Sequence, residues 1–175
     1  CATCDGAFFR GKDVCVVGGG DTAAEDALFL SKFCTKVTLI HRRDSLRAAK
    51  VITDAILQNP KIEVLWDSVV TSVNGEEAVE SVSIRNLKTE QEFTLAVRAM
   101  FVAVGTIPAN KLAADQLELS EDGYIITDED MHTNIPGVFA AGDIRQKSFR
   151  QIITAAADGA IAVNSAIQYI NENNL

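Results

Sequence analysis

Three groups of residues have the types and spacing to do chemistry. The first is Gly18-Gly19-Gly20-Asp21-Thr22-Ala23, a Gly-x-Gly-x-x-Ala turn. In such a turn the first glycine makes the bend and the second lets a diphosphate reach the backbone. A small third residue lets a helix pack closely on a strand. Backbone N–H groups and the positive end of the helix dipole then suit the diphosphate of a dinucleotide. The second group is His41-Arg42-Arg43-Asp44-Ser45-Leu46-Arg47. An acidic residue roughly 20 positions past the glycines would hold a ribose 2′-OH. Three guanidiniums there instead suit a 2′-phosphate, to which Arg makes bidentate, charge-assisted bonds. The expected nucleotide is NADPH rather than NADH.

The third group is Cys1-Ala2-Thr3-Cys4. Two intervening residues let the sulfurs close into a disulfide or open into a dithiol. Beside a βαβ unit in a reducing compartment, such a pair reads as redox-active. Asp5 either hands a proton to a leaving thiolate or caps a helix or turn, and spacing alone leaves both open. A zinc site would want a second C-x-x-C or paired histidines. Cys15, Cys34, His41 and His132 are isolated, so no metal is expected. Cys15 and Cys34 read as small buried hydrophobes.

These groups need elements to hold them. KDVCVV at 12–17 reads as a buried strand, 21–33 as a helix with Ala24, Leu28, Phe29 and Phe33 on one face, and KVTLI at 36–40 as a second strand. That is a βαβ unit, which implies a parallel sheet and a right-handed crossover. A helix over about 45–59, stopped by Pro60, leads to a third strand, IEVLW at 62–66. Residues 69–73, 79–86 and 91–97 alternate apolar and polar, as small antiparallel strands do. The apolar run 100–104 reads as a strand returning to the main sheet, and Gly105 to Pro108 as a crossing segment. Beyond it, 124–127 and 137–141 read as short strands and 149–171 as one helix. The expected fold is α/β, Rossmann-like, with a parallel sheet and a small antiparallel sheet. Residues 1–107 form the nucleotide-binding domain with the redox CxxC, and 108–175 form part of a second such domain.

The bulk numbers agree. The chain has 175 residues, 47% hydrophobic and 23% charged, so it can bury a core. A net charge of −8 repels phosphate backbones and disfavours a nucleic-acid partner. No apolar run approaches the roughly 20 residues of a membrane helix, and no leader peptide is evident. A cytoplasmic location is expected.

The motifs CATCDG, VVGGGDTAAEDALFLS, HRRDSLRA and GVFAAGD with a downstream FRQ, in that order, resemble the low-molecular-weight thioredoxin reductases along nearly the whole chain. The resemblance implies a homodimeric flavoprotein that passes electrons from NADPH to FAD, then to the CxxC disulfide, then to thioredoxin or a thioredoxin-like protein. Gly18, Gly19, Gly20, Asp21, Thr22 and Ala23 would meet the nucleotide diphosphate. His41, Arg42, Arg43 and Arg47 would meet its phosphorylated ribose, and Gly105 joins the cofactor-binding set. Cys4 would be the sulfur nearer the flavin, Cys1 the one that attacks thioredoxin, and Asp5 the acid–base residue. Gly142 and Asp143 match the segment at the ribityl–phosphate part of the flavin, and Arg150 and Gln151 the pair near its ring. The family opens with a strand–GxGxxG–helix unit for the ADP part of FAD, and the single such motif here is already assigned to NADPH. The expectation is therefore a chain truncated at its N-terminus, which alone binds NADPH without holding FAD or turning over. The alternatives are the flavoprotein arm of an alkyl hydroperoxide reductase and an inactive NADPH-binding fragment. A ferredoxin-type flavin reductase lacks the CxxC.

Overall fold

The computed structural model describes residues 1–174. The chain folds as two compact units, Cys1–Gly105 and a second that begins at Thr106.

The first unit opens with a one-turn helix, α1 (Ala2–Asp5), continued by a 3-10 turn at Gly6–Phe9. Next come β1 (Asp13–Gly18), α2 (Asp21–Ser31), β2 (Lys36–Ile40), α3 (Lys50–Gln58) and β3 (Ile62–Leu65). An antiparallel excursion follows, made of β4 (Ser68–Asn74), β5 (Ser81–Asn86) and β6 (Glu92–Ala96). β7 (Met100–Ala103) then returns to the parallel sheet, whose order is β3-β2-β1-β7. β1 lies between β2 and β7, with Val16 opposite both Leu39 and Phe101. The expected α/β fold, with a parallel sheet of four strands and an antiparallel sheet of three, is what this unit has.

Two cores hold it. Val14, Val16, Val37 and Leu39 from the sheet pack against Ala23, Ala24, Ala27 and Leu30 of α2. The other sheet face carries Cys15 and Ile40 against Val82, Ile84 and Val97 of the antiparallel layer. The buried stripe of α2 is thus Ala23-Ala24-Ala27-Leu30-Ser31, whereas Leu28, Phe29 and Phe33 are half-buried. Three alanines let the helix axis come close to the sheet, and the aromatics move to the flank.

The helix expected from 45 begins instead at Lys50. Residues 41–49 spend their backbone groups elsewhere. The Arg47 N–H donates to Gly19 O at 2.7 Å, and the Ala49 N–H to Asp21 Oδ1 at 2.8 Å. Each N–H bonds the glycine turn rather than a carbonyl four residues back.

The second unit is less regular. The strands expected at 124–127 and 137–141 are single bridges: Ile125 with Leu119 and Arg145, and Phe139 with His132. Left-handed glycines at 123 and 137 (φ +82° and +79°) stand at the start of each segment. The unit ends in the 22-residue α4 (Ile152–Asn173). A buried carboxylate ties that helix to the preceding segment. Asp158 accepts from the Gly142 N–H at 3.0 Å, Arg145 Nε at 2.8 Å and Lys147 Nζ at 2.7 Å. Its hydrogen bond to Arg145 is the largest of the effects that hold its pKa far below the usual carboxylate range. The opposite side of α4 is open, with Ile152 90% and Ile153 76% exposed.

Candidate functional site

A cleft of about 520 Å³ opens where β1, β2 and β7 end, lined on one side by Gly18, Gly19, His41, Arg42 and Arg47. Its far wall is β4, from Ser68 to Val73. Ligands of open α/β sheets settle outside the carboxyl ends of strands, where the strand order reverses. Here that point lies between β1 and β7.

Each glycine of the turn has its own reason. A Cβ on Gly18 would meet Ala103 O and the Ala23 Cβ, and its φ of +155° disfavours any side chain. A Cβ on Gly19 would overlap the His41 ring. Gly20 is the N-cap of α2, with ordinary φ −94° and open space beyond its Cα. It brings no side-chain capping bond, so a ligand has access to the orphan N–H groups of the first helical turn. Ala23 is buried, as a small third residue should be. Asp21 and Thr22 are exposed, and Asp21 clamps the basic segment through Ala49.

That segment leaves β2 with one buried residue and three exposed cations. His41 is 5% exposed, and its Nε2 is buried with no hydrogen-bond partner. Burial is the main cause of its lowered pKa, so the ring is neutral near pH 7. Arg42, Arg43 and Arg47 are exposed. Arg42 and Arg47 line the cleft, while Arg43 does not, and its carbonyl accepts the Asp67 N–H at 3.1 Å. A helix N-terminus behind a glycine turn and two exposed guanidiniums suit a phosphorylated dinucleotide. Gly105 (φ +98°) follows the cleft wall directly after Val104.

The CxxC lies on α1. Cys1, Cys4 and Asp5 are exposed, whereas Ala2 and Gly6 face inward. The close approach is required, because a Cβ on Gly6 would press on Leu30 and Phe33 at the end of α2. The Cys4 and Cys1 sulfurs lie 2.7 Å apart, so the pair can close into a disulfide or open into a dithiol with little backbone movement. Asp5 makes no side-chain cap bond at the turn that follows. Cys15 and Cys34 are buried. Burial pushes the Cys15 thiol up to about 12 and is also the main cause raising that of Cys34.

The other sequence-predicted residues belong to the second unit. Gly142 and Asp143 start a 3-10 turn, with Gly142 at φ +84° and the Asp143 carboxylate exposed. Arg150 stacks over Tyr124, 3.8 Å from its ring centroid, and its Nε donates to Asp143 O at 3.2 Å. Gln151 caps α4 in a reciprocal box with Thr154. A carboxylate can accept from a hydroxyl, whereas a guanidinium held flat and a long helix's N-terminus suit an anion. Sequence reasoning missed the Asp158 cluster, the clamp role of Asp21 and the Lys88 bridge to Asp44 and Asp67. Each joins residues 11 or more apart with no motif to announce it.

Residues 1–159 match the model of the pyridine nucleotide-disulphide oxidoreductases. The chain belongs to that family. Among these oxidoreductases it is 49% identical to the thioredoxin reductase of Treponema pallidum (strain Nichols), over 98% of this chain and 55% of that protein. The crystal structure of thioredoxin reductase from Streptococcus pyogenes MGAS5005 superposes with a TM-score of 0.90 at 47% identity, over 98% of this chain and 56% of that one. Thioredoxin reductase from Giardia duodenalis gives a TM-score of 0.81 at 40% identity, over 98% and 57%. The chain thus spans a little over half the length of the oxidoreductases it matches. Among its described residues, no helix is long and apolar enough to cross a membrane.

Proposed function

We propose that this chain is the NADPH-binding and disulfide-bearing part of a thioredoxin reductase, with residues of its second unit serving a flavin site. The observation that carries the reading is the cleft itself. The guanidiniums of Arg42 and Arg47 line it beside Gly18 and Gly19, the turn that leads into the uncapped start of α2, and α1 with its CxxC packs on the other end of that helix. In this reading the first-turn N–H groups hold the nucleotide diphosphate, and Arg42 and Arg47 hold the 2′-phosphate. Asp143, Arg150 and Gln151 are assigned to FAD. A bound flavin supplies the relay that carries two electrons from the nicotinamide to sulfur.

The chain's own residues perform the exchange with the partner. The Cys1 thiolate attacks one sulfur of the partner's disulfide, and the other sulfur leaves as a thiolate. The Cys4 thiolate then attacks Cys1 Sγ, forming the Cys1–Cys4 disulfide and expelling the partner's second thiolate. Asp5, next to Cys4, holds the proton that Cys4 gives up and returns it when the pair is reduced again. The sum is NADPH, one proton and a partner disulfide giving NADP⁺ and a partner dithiol. Thioredoxin or a thioredoxin-like protein is the partner, and a homodimer in a reducing cytoplasm is the working form.

Calorimetric titration of both nucleotides tests the reading. Each charge-assisted phosphate bond contributes roughly 1.5–3 kcal/mol, so Arg42→Ala should weaken NADPH about 10- to 100-fold and leave NADH unchanged. Equal losses for both nucleotides would refute it.

A further inference from the structure

We propose that Lys88, on the β5–β6 hairpin, determines nucleotide specificity by drawing Asp44 away from the neighbouring guanidiniums, so that Arg42 and Arg47 stay available to a 2′-phosphate. The proposal rests on the NADPH reading above. Asp44 sits inside the basic segment, next to Arg43 and three residues before Arg47. A carboxylate there has the wrong charge for a phosphate and the right charge to pair with an arginine. Either effect would weaken the site.

The structure gives Asp44 a different partner. Lys88 Nζ is 3.6 Å from Asp44 Oδ2 and 2.9 Å from Asp67 Oδ2. Among the described residues, no ion pair joins Asp44 to an arginine. The bridge is held in place by backbone bonds on both sides. The Leu87 N–H donates to Asp67 O at 2.6 Å, the Asp67 N–H to Arg43 O at 3.1 Å, and the Ser68 N–H to His41 O at 2.9 Å. Asn86 Oδ1 accepts the Lys88 and Thr89 N–H groups, and Asn86 Nδ2 donates to Trp66 O. The hairpin, the turn at Asp67 (φ +50°) and the basic segment are therefore stapled together. The Lys88 ammonium stays charged, because its hydrogen bond to Asp67 raises its pKa.

The experiment uses the 175-residue chain and equilibrium titration of NADPH and NADH. The variants are Lys88→Gln, Asp44→Asn, the two combined, and Arg42→Ala as a control. An exposed charge pair changes an equilibrium by roughly two- to fivefold. Lys88→Gln should therefore weaken NADPH about threefold and leave NADH alone, with only a small drop in melting temperature, because the side chain is exposed and the backbone bonds of the hairpin remain. Asp44→Asn should bind NADPH at least as tightly as the parent chain. The double variant should return to within about twofold of Asp44→Asn, because removing Asp44 removes what Lys88 offsets. Equal effects of Lys88→Gln on both nucleotides, no effect on either, or a double variant as weak as Lys88→Gln alone would each overturn the proposal. If Arg42→Ala still selectively weakens NADPH, those results sink Lys88 alone. If Arg42→Ala is indifferent to the 2′-phosphate, the nucleotide reading beneath it falls.

Discussion

His41 is the residue on which the cleft turns. Its ring fills the space that a Gly19 side chain would need, and the protein buries it with one nitrogen orphaned. Burial lowers its pKa below the ordinary 6.5. The unfolded chain therefore takes up the imidazole proton at a higher pH than the folded chain does. This contribution to stability is complete above about pH 6.5 and is lost as the pH falls through the lowered folded value. Denaturant unfolding from pH 7.5 to 5.5 should show a steeper decline for the parent chain than for His41→Gln. Parallel curves would mean that the ring titrates freely in the folded state.

At the scale of elements, three consecutive glycines predict three outcomes. Gly18→Ala places a methyl against Ala103 O and Ala23 at a positive φ, and should cost roughly 2–4 kcal/mol of stability. Gly19→Ala must push the buried His41 ring aside and should be destabilising too. Gly20→Ala enters open space at an ordinary φ, so its melting temperature should hold while NADPH affinity drops. Thermal melts paired with nucleotide titrations separate the three, and a destabilised Gly20→Ala would contradict the assignment of that space to a ligand. Much of this was legible in the sequence. The Gly-x-Gly-x-x-Ala spacing, the KVTLI strand and the alternation over 79–86 each depend on neighbours close along the chain. The late start of α3 was not legible. The periodicity of 45–59 carries no sign that the Arg47 and Ala49 N–H groups are claimed by Gly19 and Asp21. The strands expected at 124–127 and 137–141 failed for a related reason. A β-branched or aromatic run says what could pair, and only tertiary context says how many residues do.

For the whole molecule, the division at Gly105 makes a prediction independent of any ligand. The stretch after it carries Ile107 and Leu112, 94% and 97% exposed, and leads into a unit held by single bridges and the Asp158 cluster. Limited proteolysis should cut first within residues 105–113 and leave the first unit as a resistant fragment, read by intact mass. Asp158→Ala leaves Arg145 and Lys147 without their shared carboxylate, and should speed digestion of the second unit without changing the survival of the first. Early cleavage inside 13–103 would contradict the two-unit division. The order of strands in the first unit also has a consequence in time. Cys15 sits in β1, yet much of the cluster that buries it, Val82, Ile84, Val97 and β7, is made long after it. At ribosomal speeds of roughly 5–20 residues per second, on the order of ten seconds separate the appearance of this thiol from that of its cover. A nascent chain therefore carries an open sheet edge and an accessible sulfur through that interval, and its sensitivity to oxidant should be greatest during synthesis.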